Sequence, residues 1–195
     1  MMKLAIFIAF FLAFAPAMAQ FKITQKSGDL GDKGVILDGK TKLRLHGKTI
    51  HVGDRFPIMR LQKTDGSTYL LGNKTTEKTL IVTLYSLGVA DCRQNMKEYY
   101  NELKNVSFNV VFISADPSII QKRFINENKM TNVTMLSDAK VHHFGLRTGT
   151  LIRRSYLLAR SLIVVDENAV IRHIQRVPDL MTFPDLDMAM NKMLN

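Results

Sequence analysis

Residues 79–85 (TLIVTLY) and 106–114 (VSFNVVFIS) are two runs dominated by β-branched and aliphatic side chains. Strands of this composition are buried on both faces, so the sheet they form needs a covering layer above and below. Between them Met96, Tyr99, Tyr100 and Leu103 recur at helical spacing, which predicts a helix over 91–104 that starts near Cys92. The alternation continues. Residues 118–128 read as a helix, with Pro117 placed before its first turn. Residues 133–136 read as a short strand and 139–144 as a short helix. Residues 161–165 (SLIVV) and 169–175 read as a strand pair around the Asp166-Glu167-Asn168 turn. A helix over 183–194, with Met190 and Leu194 on one face, closes the chain. Strands alternating with helices predict an α/β domain with a mixed central sheet.

Upstream the pattern is different. Val35-Ile36-Leu37 runs into the Asp38-Gly39 turn signal, Leu43-Arg44-Leu45-His46 alternates, and 49–52 reads as another short strand, so a β-ribbon is expected over 35–52. Residues 53–57 are a loop into the main domain, and 58–71 hold two short strands around Asp65-Gly66. Residues 20–34 are polar and contain Gly28, Gly31 and Gly34, which predicts a flexible lead-in. No internal repeat is present.

The first nineteen residues read as a targeting segment. Met1-Met2-Lys3 is a short positive start, 4–15 is an uncharged apolar run, and Ala17-Met18-Ala19 is the small-x-small pattern that signal peptidase reads. This predicts a cleavable secretory signal over 1–19, cut before Gln20, and a periplasmic or secreted domain over 35–195. The apolar run is shorter than the about twenty residues a membrane span needs, and no cysteine follows it to carry a lipid. The chain carries 27 Lys+Arg against 17 Asp+Glu, a formal charge of +10 over 195 residues. That balance admits anionic partners, but export argues against nucleic acid, and no membrane partner is expected.

Cys92 is the one cysteine, which rules out an intrachain disulfide and a cysteine-cluster metal site. At the start of a helix it meets unpaired N–H groups and the positive end of the helix dipole, which favour a thiolate. Arg93 is adjacent, and Arg160 ends a loop just before a buried strand, from where it could reach the sulfur. An inert buried thiol fits the same residues as well. His142 and His143 are neighbours that point about 100° apart on a helix and chelate one ion poorly. His46, His51 and His173 are scattered, so no metal is expected, and no motif calls for a cofactor. Met181, Met188, Met190 and Met193 suit core packing or a homodimer contact. Asp116 reads as a helix-entry residue.

The segment 86–99 (SLGVADCRQNMKEY) resembles the peroxidatic segment of the thiol peroxidase subfamily of peroxiredoxins. The likeness extends to 43–59 (LRLHGKTIHVGDRFPIM), to Ile113-Ser114-Ala115-Asp116, to Leu158-Ala159-Arg160 running into SLIVVDEN, and to 175–195 through Phe183-Pro184-Asp185. It covers roughly 35–195. The resemblance implies a thioredoxin-like fold with an N-terminal β-hairpin. It also implies reduction of a hydroperoxide substrate by Cys92, assisted by Arg160, with a sulfenic acid formed on the sulfur. The family pattern Pro-x-x-x-Thr-x-x-Cys is altered: Tyr85 stands at the Pro position and Val89 at the Thr position. The family's resolving cysteine would fall near Ile125. A one-cysteine peroxidase recycled by an external thiol reductant and weakened by the missing Thr hydroxyl is therefore expected. The alternative is a thioredoxin-fold binding module that has lost the chemistry. A thioredoxin-type reductase fits less well, because its attacking cysteine would fall on Val89 and the Arg160-Ser161 region lacks the proline that thioredoxins place there.

Overall fold

A computed structural model describes residues 21–194; the predicted signal segment 1–19 lies outside them. In chain order the first strands are β1 (Ile23–Thr24), β2 (Val35–Asp38), β3 (Thr41–His46), β4 (Met59–Lys63), β5 (Thr68–Leu71) and β6 (Thr79–Thr83). Helix α1 (Ala90–Leu103), β7 (Asn109–Ser114), α2 (Ser118–Glu127), β8 (Thr134–Ser137) and α3 (His143–Thr148) follow. The chain ends with β9 (Leu151–Ile152), β10 (Ser161–Val165), β11 (Ile171–Arg176), β12 (Phe183–Pro184) and α4 (Leu186–Leu194).

The central sheet has seven strands in the order β11-β10-β6-β7-β8-β4-β5. β6, β7 and β8 are parallel, each joined to the next by a crossover helix, and the other pairs are antiparallel. The sheet is thus mixed. Every residue of β6 and β10 is buried, as expected of runs without a wet face. Alternation along β6 divides the core into two layers. Leu80 and Val82 join Met96, Tyr99 and Leu103 of α1, Phe124 of α2 and Leu186 of α4. Ile81 turns to the other side, with Phe56, Phe144 and Leu151. Burial of one such aliphatic side chain is worth about 1.5–3 kcal/mol. A separate three-stranded sheet, β2-β3-β9, carries a third cluster that includes Ile36, Leu45, Ala159 and Leu180.

Four expectations change. Residues 49–52 are not a strand: Thr49 Oγ1 donates to Leu30 O at 3.1 Å and Ile50 is buried, so side-chain anchoring replaces ladder pairing. The helix expected at 139–144 forms at His143–Thr148 instead. His142 adopts a left-handed conformation, and the Asp138 carboxylate accepts the N–H groups of Phe144 and Gly145 at 2.8 and 2.9 Å, which fixes where the helix starts. The closing helix begins at Leu186, not 183. Pro184 pairs with Thr24 in an extended bridge, and Asp185 Oδ1 accepts the Met188 N–H at 3.2 Å as a cap.

The fourth change concerns the lead-in. Residues 21–34 make fixed contacts where none were expected. β1 pairs in parallel with β12, and the Arg176 guanidinium, 1% exposed, donates to Asp29 O and to Val35 O. The Gly28 N–H donates to Arg176 O at 2.8 Å, and a Cβ at Gly28 would collide with that guanidinium. Glycine is required there for close approach, not for looseness.

Candidate active site

Helix α1 begins where the loop leaving β6 is tied down. Asp116, just past the end of β7, accepts from Ser86 Oγ at 2.9 Å and from the Leu87 N–H at 2.8 Å. Ser86 Oγ in turn accepts the Gly88 N–H at 3.0 Å, and Arg93 Nη1 donates to Leu87 O at 2.8 Å. The six loop residues 84–89 are thereby held without regular structure. Asp116 is more than a helix-entry residue: its carboxylate shapes the turn that delivers Cys92. The arginine next to the cysteine in sequence serves the same turn through Leu87.

Val89 is the N-cap of α1, with φ −96° and ψ 129°, and no side-chain hydrogen bond caps the helix. The intrahelical ladder starts with Arg93 N–H to Val89 O at 3.1 Å. Cys92 therefore sits in the first turn, where backbone N–H groups have no intrahelical acceptor and the helix dipole is positive. The thiol is 1% exposed.

Arg160 precedes β10 and is also buried. Its Nη2 donates to Cys92 Sγ at 3.0 Å. Its Nη1 donates to Leu180 O and, at 3.4 Å, to Thr182 O, and its guanidinium lies 4.1 Å from the Phe183 ring centroid. None of these partners is a carboxylate, and the Cys92 sulfur is the one acidic group among them. The two residues singled out in the sequence are thus in contact. The strap over 180–183 that holds Arg160 was not legible in the sequence, because backbone carbonyls and a ring face carry no motif. The strap itself is fastened from behind: the Leu180 N–H donates to Leu37 O at 2.8 Å and the Phe183 N–H to Lys22 O at 3.0 Å.

Tyr85 is half-buried against the cluster that contains Ala159 and Leu180. Burial raises its ionisation above the ordinary tyrosine value, the negative charges of Asp38 and Cys92 add to this, and Arg160 opposes it. Its ring fills the flank of the site.

Residues 51–190 match the model of the Redoxin family. The chain is 30% identical over 150 residues to a thiol peroxidase of Streptococcus gordonii, covering 76% of this chain and 92% of the relative. It is 31% identical over 144 residues to a thiol peroxidase of Streptococcus sanguinis, covering 73% and 88%. Among solved structures it resembles a peroxiredoxin-like protein from Aquifex aeolicus, with a TM-score of 0.78 at 24% identity over 86% of this chain and 98% of the other. A thiol peroxidase from Chromobacterium violaceum gives a TM-score of 0.70 at 21% identity, covering 82% and 94%. The shared architecture is the thioredoxin-like fold.

Proposed function

The chain belongs to the Redoxin family, among the thiol peroxidases of the peroxiredoxin group, and from that premise we propose that it reduces hydroperoxides through Cys92 with an external thiol as reductant. The observation that carries the residue assignment is the 3.0 Å contact between Arg160 Nη2 and Cys92 Sγ at the first turn of α1. A cation at that distance stabilises negative charge on the sulfur by Coulomb attraction, and the low-dielectric surroundings strengthen the effect.

In the reaction the Cys92 sulfur donates an electron pair to the terminal peroxide oxygen. The S–O bond forms as the O–O bond breaks, and the alkoxide leaves with the bonding pair and takes a proton to become an alcohol. The sulfur, oxidised by two electrons, carries a sulfenic acid. One external thiol then displaces water to form a mixed disulfide, and a second thiol releases Cys92. With a single cysteine in the chain, both thiols come from outside.

The activity is weaker than that of a site with a hydroxyl at position 89. A hydrogen bond to a charged group is worth about 1.5–3 kcal/mol, so its loss from the transition state slows the step roughly 10- to 150-fold. Addition of one equivalent of hydrogen peroxide, followed by intact-mass analysis, tests the assignment. Cys92 is expected to gain one oxygen, and Cys92→Ser none. An untouched thiol in the folded protein would overturn it in favour of a binding module.

The proposal includes export. Lys3, the apolar run over 4–15 and Ala17-Met18-Ala19 support a signal cleaved before Gln20 and a periplasmic or secreted product. The mass of the exported form decides this: a start at Gln20 is expected, and retention of 1–19 would defeat it.

A further inference from the structure

Residues 21–25 precede the stretch 51–190 that matches the Redoxin family, yet they pack against the strap that holds Arg160. The rings of Phe21 and Phe183 lie with their centroids 4.5 Å apart and their planes at 47°. The Phe183 ring in turn lies 4.1 Å from the Arg160 guanidinium. A line of contacts therefore runs from Phe21 through Phe183 and Arg160 to the Cys92 sulfur. Phe183 is buried and Phe21 half-buried. The backbone that delivers Phe21 is fixed. The β1–β12 pair sets Ile23 opposite Phe183 and Thr24 opposite Pro184. Gln175, buried on β11, donates to Thr24 O at 2.5 Å and accepts the Asp185 N–H at 2.9 Å, and Gln25 Nε2 donates to Asp185 Oδ2 at 3.1 Å. One side chain of the central sheet thus anchors both strands of the pair.

We propose that Phe21 is a positioning residue for the peroxide reaction: its ring holds Phe183 against the Arg160 guanidinium and so keeps Nη2 at the Cys92 sulfur. The inference rests on the reading of Cys92 as the peroxide-reacting sulfur and of Arg160 as its partner. An arginine side chain has many rotamers, and ordering it costs entropy. The hydrogen bonds from Nη1 to Leu180 O and Thr182 O hold one edge of the guanidinium and leave its plane free to tilt. A ring against the guanidinium limits that tilt, and a second ring packed on the first limits the movement of the first. The rate follows the fraction of molecules in which Nη2 lies at the sulfur, because a displaced donor stabilises nothing in the transition state.

The test follows the oxidation of Cys92 by hydrogen peroxide, by rapid quench and intact mass, in wild type, Phe21→Ala, Phe21→Trp and Ile23→Ala. The same measurement is made on Arg160→Met with and without Phe21→Ala. Phe21→Ala is expected to slow the reaction roughly two- to tenfold, the range set by the strength of an aromatic pair. Phe21→Trp keeps a ring at the position and is expected to keep most of the rate. The natural chain contains no tryptophan, so the emission of this variant reports position 21 alone, and an indole shielded from water is expected. Ile23→Ala trims the same strand with both rings still present and is expected to keep the rate. In Arg160→Met the addition of Phe21→Ala is expected to change nothing, because the group that Phe21 positions is gone; a general loosening of the fold would slow both backgrounds alike. Equal slowing in the two backgrounds overturns the proposal, as does equal slowing by Ile23→Ala or a water-exposed indole in Phe21→Trp. An unchanged rate in Phe21→Ala overturns it too, and a faster one would make the segment a cover over the thiol. Phe21→Leu takes the place of Phe21→Ala if alanine is not accommodated. Failure of wild type to oxidise at Cys92 overturns the reading of Cys92 and this inference with it.

Discussion

Arg160 and Cys92 are 68 positions apart in the chain, and Arg160 Nη2 donates to Cys92 Sγ at 3.0 Å in the interior of the protein. The same guanidinium fastens the strap over 180–183 through Leu180 O and Thr182 O. One side chain thus joins the Cys92 sulfur at the start of α1 to the segment that leads into α4.

Replacement of Arg160 by methionine removes charge and donors while keeping most of the volume. The second-order rate with hydrogen peroxide, measured by stopped flow, is expected to fall roughly 10- to 150-fold, the value of a hydrogen bond to a charged group. Stability should fall as well, by about 1–3 kcal/mol for each buried carbonyl left without a donor. Arg160→Lys should recover only part of the rate, because an ammonium lacks the planar fork that spans the sulfur and two carbonyls.

Val89→Thr is expected to do two things at once. The position is an N-cap with extended backbone and 37% exposure, so a hydroxyl there is not stranded in the core. It can accept an N–H of the first turn, which should raise stability by about 0.5–2 kcal/mol in chemical denaturation. Three residues before Cys92, it is also expected to speed the peroxide reaction by roughly tenfold. A gain in stability without a gain in rate would confine the hydroxyl's role to capping.

Asp116→Asn keeps the shape of the side chain but leaves one oxygen to accept where two accept now, from Ser86 and Leu87. The loop that presents Cys92 should loosen. A loss of about 1–3 kcal/mol in urea unfolding is expected, together with faster amide exchange at Leu87 and Gly88. Unchanged exchange would show that Arg93 and the helix hold the loop without the carboxylate.

Asp138 sets a pH dependence. Burial raises its carboxyl from 3.8 to about 6, against the lowering effect of the Gly145 and Phe144 N–H bonds and of His143. Between about pH 4 and 6 the native state therefore binds more protons at this group than the unfolded state, and its contribution to stability declines as pH rises through that window, then levels off. The shift of about two units corresponds to at most about 3 kcal/mol. The stability difference between wild type and Asp138→Asn should change by about 2–3 kcal/mol from pH 4 to pH 7. A constant difference would contradict the raised value.

The chain by itself determined the layered core, because β6 and β10 have no polar alternation and can exist only between two covers. It also determined that α1 opens close to Cys92, and the order of motifs placed Arg160 beside it. Local composition misjudged other segments. The polar, glycine-bearing residues 21–34 looked loose because their partners, Arg176 and β12, lie about 150 residues away. Residues 183–185 had helical character, yet Pro184 was taken into a bridge with Thr24 and Asp185 became a cap. Asp116 reads in the sequence only as a helix-entry residue at the end of a family-like segment. Its hold on Ser86 and Leu87 follows from how strands and helices pack, and a lone carboxylate acquires such a role only when burial removes water as its alternative partner. Periodicity follows from the neighbours along the chain. The partners of a buried polar group are decided by the fold alone.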